Sequence, residues 1–95
     1  MKLSNVLKEE FDLLDEKFIQ IYIKDWLAGK RFAMGRVKVG NVEFIKTDNF
    51  FDIVVDREGE QATQKILNDN IRIKIAGKSY KKNKVTFSLQ KVKIQ

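Results

Sequence analysis

This 95-residue chain contains neither histidine nor cysteine. That closes off Ser-His and Cys-His nucleophiles, imidazole bases, disulfides and thiolate-bound zinc. Lysines, arginines, carboxylates and aromatics remain. The cations are densest in Ile71–Gln95, IRIKIAGKSYKKNKVTFSLQKVKIQ, which holds eight Lys or Arg and no Asp or Glu. At its centre KSYKKNK reads as a basic loop from Lys78 to Lys84, with Tyr80 among Lys78, Lys81, Lys82 and Lys84. Single-stranded nucleic acid needs that pairing of types. Cations displace counterions from the phosphates, and flat rings stack on bases for about 1–3 kcal/mol each.

The acids offer a weaker chemistry. Asp48, Asp52 and Asp56 fall on one strand and its preceding turn, where carboxylates could hold a divalent ion. Small β domains rarely carry catalysis on such a set, so no enzyme activity, metal or cofactor is expected.

Charge is unevenly spread. Residues 1–29 carry four basic and six acidic groups, and residues 30–95 carry fifteen and seven. A basic second part points to an anionic polymer as partner. No run approaches eighteen apolar residues, and the N-terminus, MKLSNVLKEEFDLL, has acids where a signal peptide needs an apolar core. A single domain of intracellular, cytoplasmic location is expected, nucleoid association included, with no membrane role.

The elements must position these residues. Leu3, Val6, Leu7, Phe11 and Leu14 recur at helical spacing, which predicts a helix over Leu3–Asp15. Ile19, Ile21 and Ile23 alternate with Phe18, Tyr22 and Trp26, which predicts a strand over Phe18–Trp26. Further strands are expected at Arg31–Val39, Val42–Thr47 and Phe50–Asp56, the first two joined by a tight Gly40-Asn41 turn. A helix follows over Gly59–Asp69, stopped by Asn68-Asp69-Asn70. Two strands flanking the basic loop close the chain, with Ile71, Ile73 and Ile75 in one and Val85, Phe87 and Leu89 in the other.

From Arg31 the order is strand, strand, strand, helix, strand, strand, as in the five-stranded Greek-key barrel of the OB-fold. Residues 31–95 resemble nucleic-acid-binding OB domains of the replication protein A type. Met34-Gly35-Arg36-Val37 matches the family's apolar-x-Gly-x-Val first strand, and Ile73-Lys74-Ile75-Ala76-Gly77 its Val-x-Val-x-Gly fourth strand. Asp48 fits the Asp that often ends the second strand. The resemblance implies a mainly β chain with two helices, its barrel preceded by residues 1–29 as a helix and an extra strand. An SH3-like barrel or an α+β sheet is the alternative, because Phe18–Trp26 has no place in a minimal OB domain.

The resemblance also implies binding across the second and third strands, framed by Lys38–Asn41 and the Lys78–Lys84 loop. With Val37, Ile45, Ile53 and Val55 placed inward and Phe51 in the core, the outer face carries Arg36, Lys38, Phe44 and Lys46. Arg72 and Lys74 continue it on the fourth strand. Single-stranded DNA or RNA, bound with little sequence preference, is the expected partner. The competing expectation is a protein-interaction module, docking on a partner or a second copy through residues 3–18.

Overall fold

A helix forms where the alternation of isoleucines suggested a strand. The computed structural model describes residues 12–29, 35–47 and 50–92, and its first element is helix α1, Leu13–Leu27. Asp12 starts it with a capping box. The Asp12 carboxylate accepts from the Asp15 N–H at 3.0 Å, and Asp15 accepts from the Asp12 N–H at 3.1 Å. The residues α1 buries are Asp15, Ile19, Ile23 and Trp26, spaced for one helical face, while Ile21 is exposed. Ile19 and Ile23 satisfy both periods, so the alternation was real but not decisive. The cap and the packing override the β preference of isoleucine. Of the helix expected over Leu3–Asp15, residues 3–11 lie outside the described residues.

The strands are β1 (Gly35–Val39), β2 (Val42–Lys46), β3 (Phe51–Asp56), β4 (Ile73–Lys81) and β5 (Lys84–Lys91). A short 3-10 turn, Arg57–Gly59, leads from β3 into helix α2, Glu60–Asn68. The sheet order is β1-β2-β3-β5-β4, with every neighbouring pair antiparallel. The chain is therefore a small α+β protein, a five-stranded antiparallel sheet with two helices. Because each neighbour reverses direction, β1, β3 and β4 all run the same way. No ladder joins β1 to β4 among the described residues, so the two form opposite edges.

One face of the sheet is covered by both helices. Phe44, Phe51, Ile53, Val55, Val85, Phe87 and Leu89 are buried there against Ile19, Ile23 and Trp26 of α1 and Leu67 of α2. Tyr22 stacks on Phe44 with ring centroids 4.2 Å apart, and Trp26 on Phe51 at 5.0 Å. Burying these side chains stabilises the fold by about 1.5–3 kcal/mol each, which makes this layer the main source of stability. Among the described residues no helix lies over the other face of the sheet. No described helix is long and apolar enough to cross a membrane.

A carboxylate sets the position of α1. Asp15, only 2 % exposed, accepts from the Asn41 N–H at 3.0 Å and from the Asn41 side-chain amide at 3.1 Å. Gly40, beside it, has φ 61°, and a Cβ there would lie 2.5 Å from Asp15 Oδ1. Only glycine fits both the left-handed turn and this close approach. Replacing Asp15→Ala leaves three N–H donors without their acceptor. The expected loss in urea denaturation is about 3 kcal/mol, and a loss below about 1 kcal/mol would show that Asp15 does not pin the helix.

Candidate nucleic-acid interface

The residues between Lys78 and Lys84 are not a loop. β4 continues through them to Lys81 and turns over Lys82-Asn83 into β5, so that Lys81 faces Lys84 and Tyr80 faces Val85. A two-residue turn fixes the pairing and hence the faces. Lys78 and Tyr80 therefore lie on the helix side of the sheet, while Lys81 and Lys84 lie on the open side. Lys82 occupies the turn with φ 55°, a conformation that glycine or asparagine adopts more easily. The Asn83 carbonyl accepts from the Arg57 N–H at 2.9 Å, tying the hairpin tip to the start of α2.

Glu60, at the start of α2, organises the helix side of this tip. It accepts from the Tyr80 hydroxyl and from Lys78 Nζ at 2.9 Å, and Arg57 Nε lies 3.6 Å away. Lys78 also donates to Gln64 at 2.9 Å. The Arg57 guanidinium covers one face of the Tyr80 ring, 4.6 Å from its centroid. Tyr80 remains 51 % exposed, so its ring is anchored by its hydroxyl and offers its remaining surface outward.

The other expected binding residues are dispersed. Lys38 and Arg36 are exposed on edge strand β1, and Arg36 is paired with Glu43 at 2.9 Å. Lys84 is paired with Asp56 at 3.0 Å. Arg72 and Lys74 are exposed near the far end of β4, Lys74 about 23 Å along the strand from Lys81. The centre of the open face is acidic, with Glu43, Asp52 and Asp56 between the two basic edges. Among the described residues no cluster of three or more carboxylates is placed to hold a metal ion, and Asp48 lies outside them.

Three expectations for this face are overturned, the first being Ile45, expected inward, which lies on the open face opposite Arg36 and Asp52. Phe44 is 0 % exposed, packed under Tyr22, and is unavailable for stacking. Lys46 is half-buried on the helix side, where it faces Phe51. The reason is the Gly40-Asn41 turn, which pairs Val37 with Phe44 and so puts both on one face. Phe51 is core, as expected. The exposed aromatic of the open face is Phe50, and sequence reasoning passed over it. Its even number puts it in phase with Asp52, a signal already present in the β3 alternation. Arg57 was also missed, and no local pattern points to it, since it reaches Tyr80 only through tertiary packing.

The tip is electrostatically tuned. The Tyr80 hydroxyl, followed by Lys78, holds the Glu60 carboxyl below its ordinary value of 4.5, and Glu60 raises Lys78 above 10.5. Glu60 ionises more readily folded than unfolded, so its contribution is complete above pH 4.5 and fades as pH falls below it. Lys78 has the opposite sign: its contribution is complete below pH 10.5 and fades as pH rises beyond. Glu60→Gln is therefore expected to lower Tm at neutral pH. The deficit should shrink on acidification to about pH 3, and a deficit independent of pH would refute the ionic role.

Comparison with family models, curated proteins and solved structures found no match for this chain.

Proposed function

We propose that the chain binds single-stranded DNA or RNA, largely without sequence preference, through the tip of the β4–β5 hairpin. The observation that carries this is the juxtaposition of Lys81 and Lys84, directly opposite across the ladder with Lys82 between them. Like charges in that position destabilise a sheet. Asp56 compensates Lys84 alone, and neither Lys81 nor Lys82 has an ion pair among the described residues. A phosphate backbone would relieve that repulsion, and a strand passing over the edge strand β4 would bring a base onto Tyr80 on the other side. Lys38 on the far edge, Lys74 on β4 and Arg72 just before it extend the positive surface for a longer strand. The reaction-free chemistry of such a site needs no cofactor, and the place of action would be the cytoplasm or nucleoid.

The resemblance to OB domains of the replication protein A type belongs to this proposal. Element order and the sheet order β1-β2-β3-β5-β4 support it. The uniformly antiparallel ladders favour the open α+β sheet, since closing five such strands would set β1 and β4 parallel. Backbone nuclear Overhauser contacts between β1 and β4 would decide for a barrel.

The proposal is checked by fluorescence anisotropy with a labelled thymidine oligonucleotide. Wild type should bind at low salt and weaken steeply as salt rises. Lys81→Ala with Lys82→Ala should weaken binding about tenfold and reduce the log–log salt slope by about 1.4, as two lost phosphate contacts require. Folding stability should be unchanged or slightly raised. Absence of binding at low salt would dismiss the proposal.

A second function, docking on a protein partner or a second copy, is favoured by the outer side of α1. Leu13, Leu14 and Ile21 are 79, 56 and 47 % exposed there. Ile71 is also exposed, beside an apolar groove between α1 and α2. Contiguous exposed apolar surface marks interfaces. Light scattering after size exclusion should then give a dimer for the wild-type chain and a monomer for Leu14→Glu with Ile21→Glu. A wild-type monomer would remove the self-association form of this idea.

A further inference from the structure

The open face of the sheet holds a groove that the hairpin tip does not use. It has a volume of about 350 Å³ and lies between Thr47 and Phe50 on one side and the middle of β4 and β5 on the other. Phe50 forms one wall and is 37 % exposed. Asp52, Ser88 and Gln90 line it with polar side chains, and among the described residues no side chain bonds to any of the three. Asp52 Oδ1 is cut off from solvent and still has no hydrogen-bond donor. A buried carboxylate oxygen without a donor is costly and calls for a partner. Gly77 faces Ser88 across the ladder, and a Cβ there would meet nothing within 4 Å, so the groove is open where other residues would fill it. An irregularity in the β4–β5 pairing falls between Ile75 and Gly77, and such bulges re-aim side chains next to binding sites.

The chemistry of the occupant follows from these groups. A carboxylate repels phosphate, so whatever meets Asp52 presents N–H donors. A flat wall of aromatic carbon beside it takes a ring. Lys74, exposed and opposite Gln90, stands on the same face where an attached phosphate would emerge. We infer that the groove holds one base of the bound strand, and that guanine is the base it prefers. Guanine carries two adjacent donors, N1–H and N2–H, which match the two oxygens of a carboxylate once the Asp52 side chain turns its enclosed Oδ1 into the groove. Its O6 can accept from the Gln90 amide. Thymine and uracil offer one N–H between two carbonyls, which a carboxylate repels. Adenine and cytosine each set a lone pair beside their amino group. Reading a splayed base on its pairing edge is a common mode for single strands. Ser88 lies about 13 Å along β5 from Lys84, so one short oligonucleotide touches both the groove and the hairpin tip.

This inference rests on the proposed nucleic-acid binding, and the test separates the two. Anisotropy is measured with a twelve-residue thymidine oligonucleotide (about the span of one small β domain) and with the same oligonucleotide carrying one central deoxyguanosine. A third carries deoxyinosine, which lacks N2–H. Wild type should prefer the guanine oligonucleotide about tenfold, equivalent to about 1.4 kcal/mol, with inosine in between. Asp52→Asn should bring the preference close to unity and leave thymidine binding within about twofold of wild type. Gly77→Val should do the same by filling the groove. Equal binding of all three oligonucleotides by wild type overturns the guanine site while leaving the general binding intact. No binding of any of them overturns both. A preference that survives Asp52→Asn and Gly77→Val overturns the placement in this groove.

Discussion

Asp15 makes the contact on which the arrangement of the whole domain depends. It is a buried carboxylate with three N–H donors, one from its own capping box and two from Asn41. Removing a charge from water is unfavourable unless such donors replace the solvent. Here the donors come from two distant pieces of chain, the start of α1 and the β1–β2 turn, so satisfying the charge also fixes their relative position. Gly40 permits it by carrying no side chain at the point of closest approach. Once α1 is held there, Ile19, Ile23 and Trp26 descend onto Phe44 and Phe51, and one face of the sheet is closed.

Closing that face decides which surface is left for function. With α1 and α2 on one side, the open side carries mostly polar residues, with Ile45 and Val54 among them. Its cations collect at the edges, and its acids lie along the middle. The hairpin tip escapes this balance, because the last twenty-five residues contain no acid and the acids that reach them come from elsewhere. Asp56 pairs with Lys84, and Glu60 takes Lys78 and Tyr80. Among the described residues Lys81 and Lys82 are left without an ion pair. The same geometry holds Tyr80 rigid, with its hydroxyl bound and one ring face under Arg57, which lowers the entropy lost when a base stacks on it.

Much of the sheet was legible in the sequence, because strand alternation and turn residues are local signals. β2, β3 and β5, the second helix and the Gly40-Asn41 turn all fall where the pattern put them. The faces were harder. A two-residue turn at Gly40-Asn41 forces Val37 opposite Phe44, so placing one inward and the other outward contradicted the turn itself. The same arithmetic at Lys82-Asn83 would have turned the basic loop into a hairpin and put Tyr80 on the side of Val85. The helix at Leu13–Leu27 was obscured by isoleucines that fit two periods, although Asp12, Asp15 and Gly29 mark its ends. Other contacts were beyond reach of local pattern. The Glu60–Tyr80 bond and the Arg57 cover join residues that only the crossing from β3 through α2 to β4 brings together.

The most direct test is an amide chemical-shift map of the chain titrated with a short single-stranded oligonucleotide. Binding at the hairpin predicts the largest shifts at Tyr80–Lys84 and Arg57, a second group at Phe50, Asp52 and Ser88, and little change along α1. Shifts centred on Leu14 and Ile21, or none at saturating oligonucleotide, would contradict it.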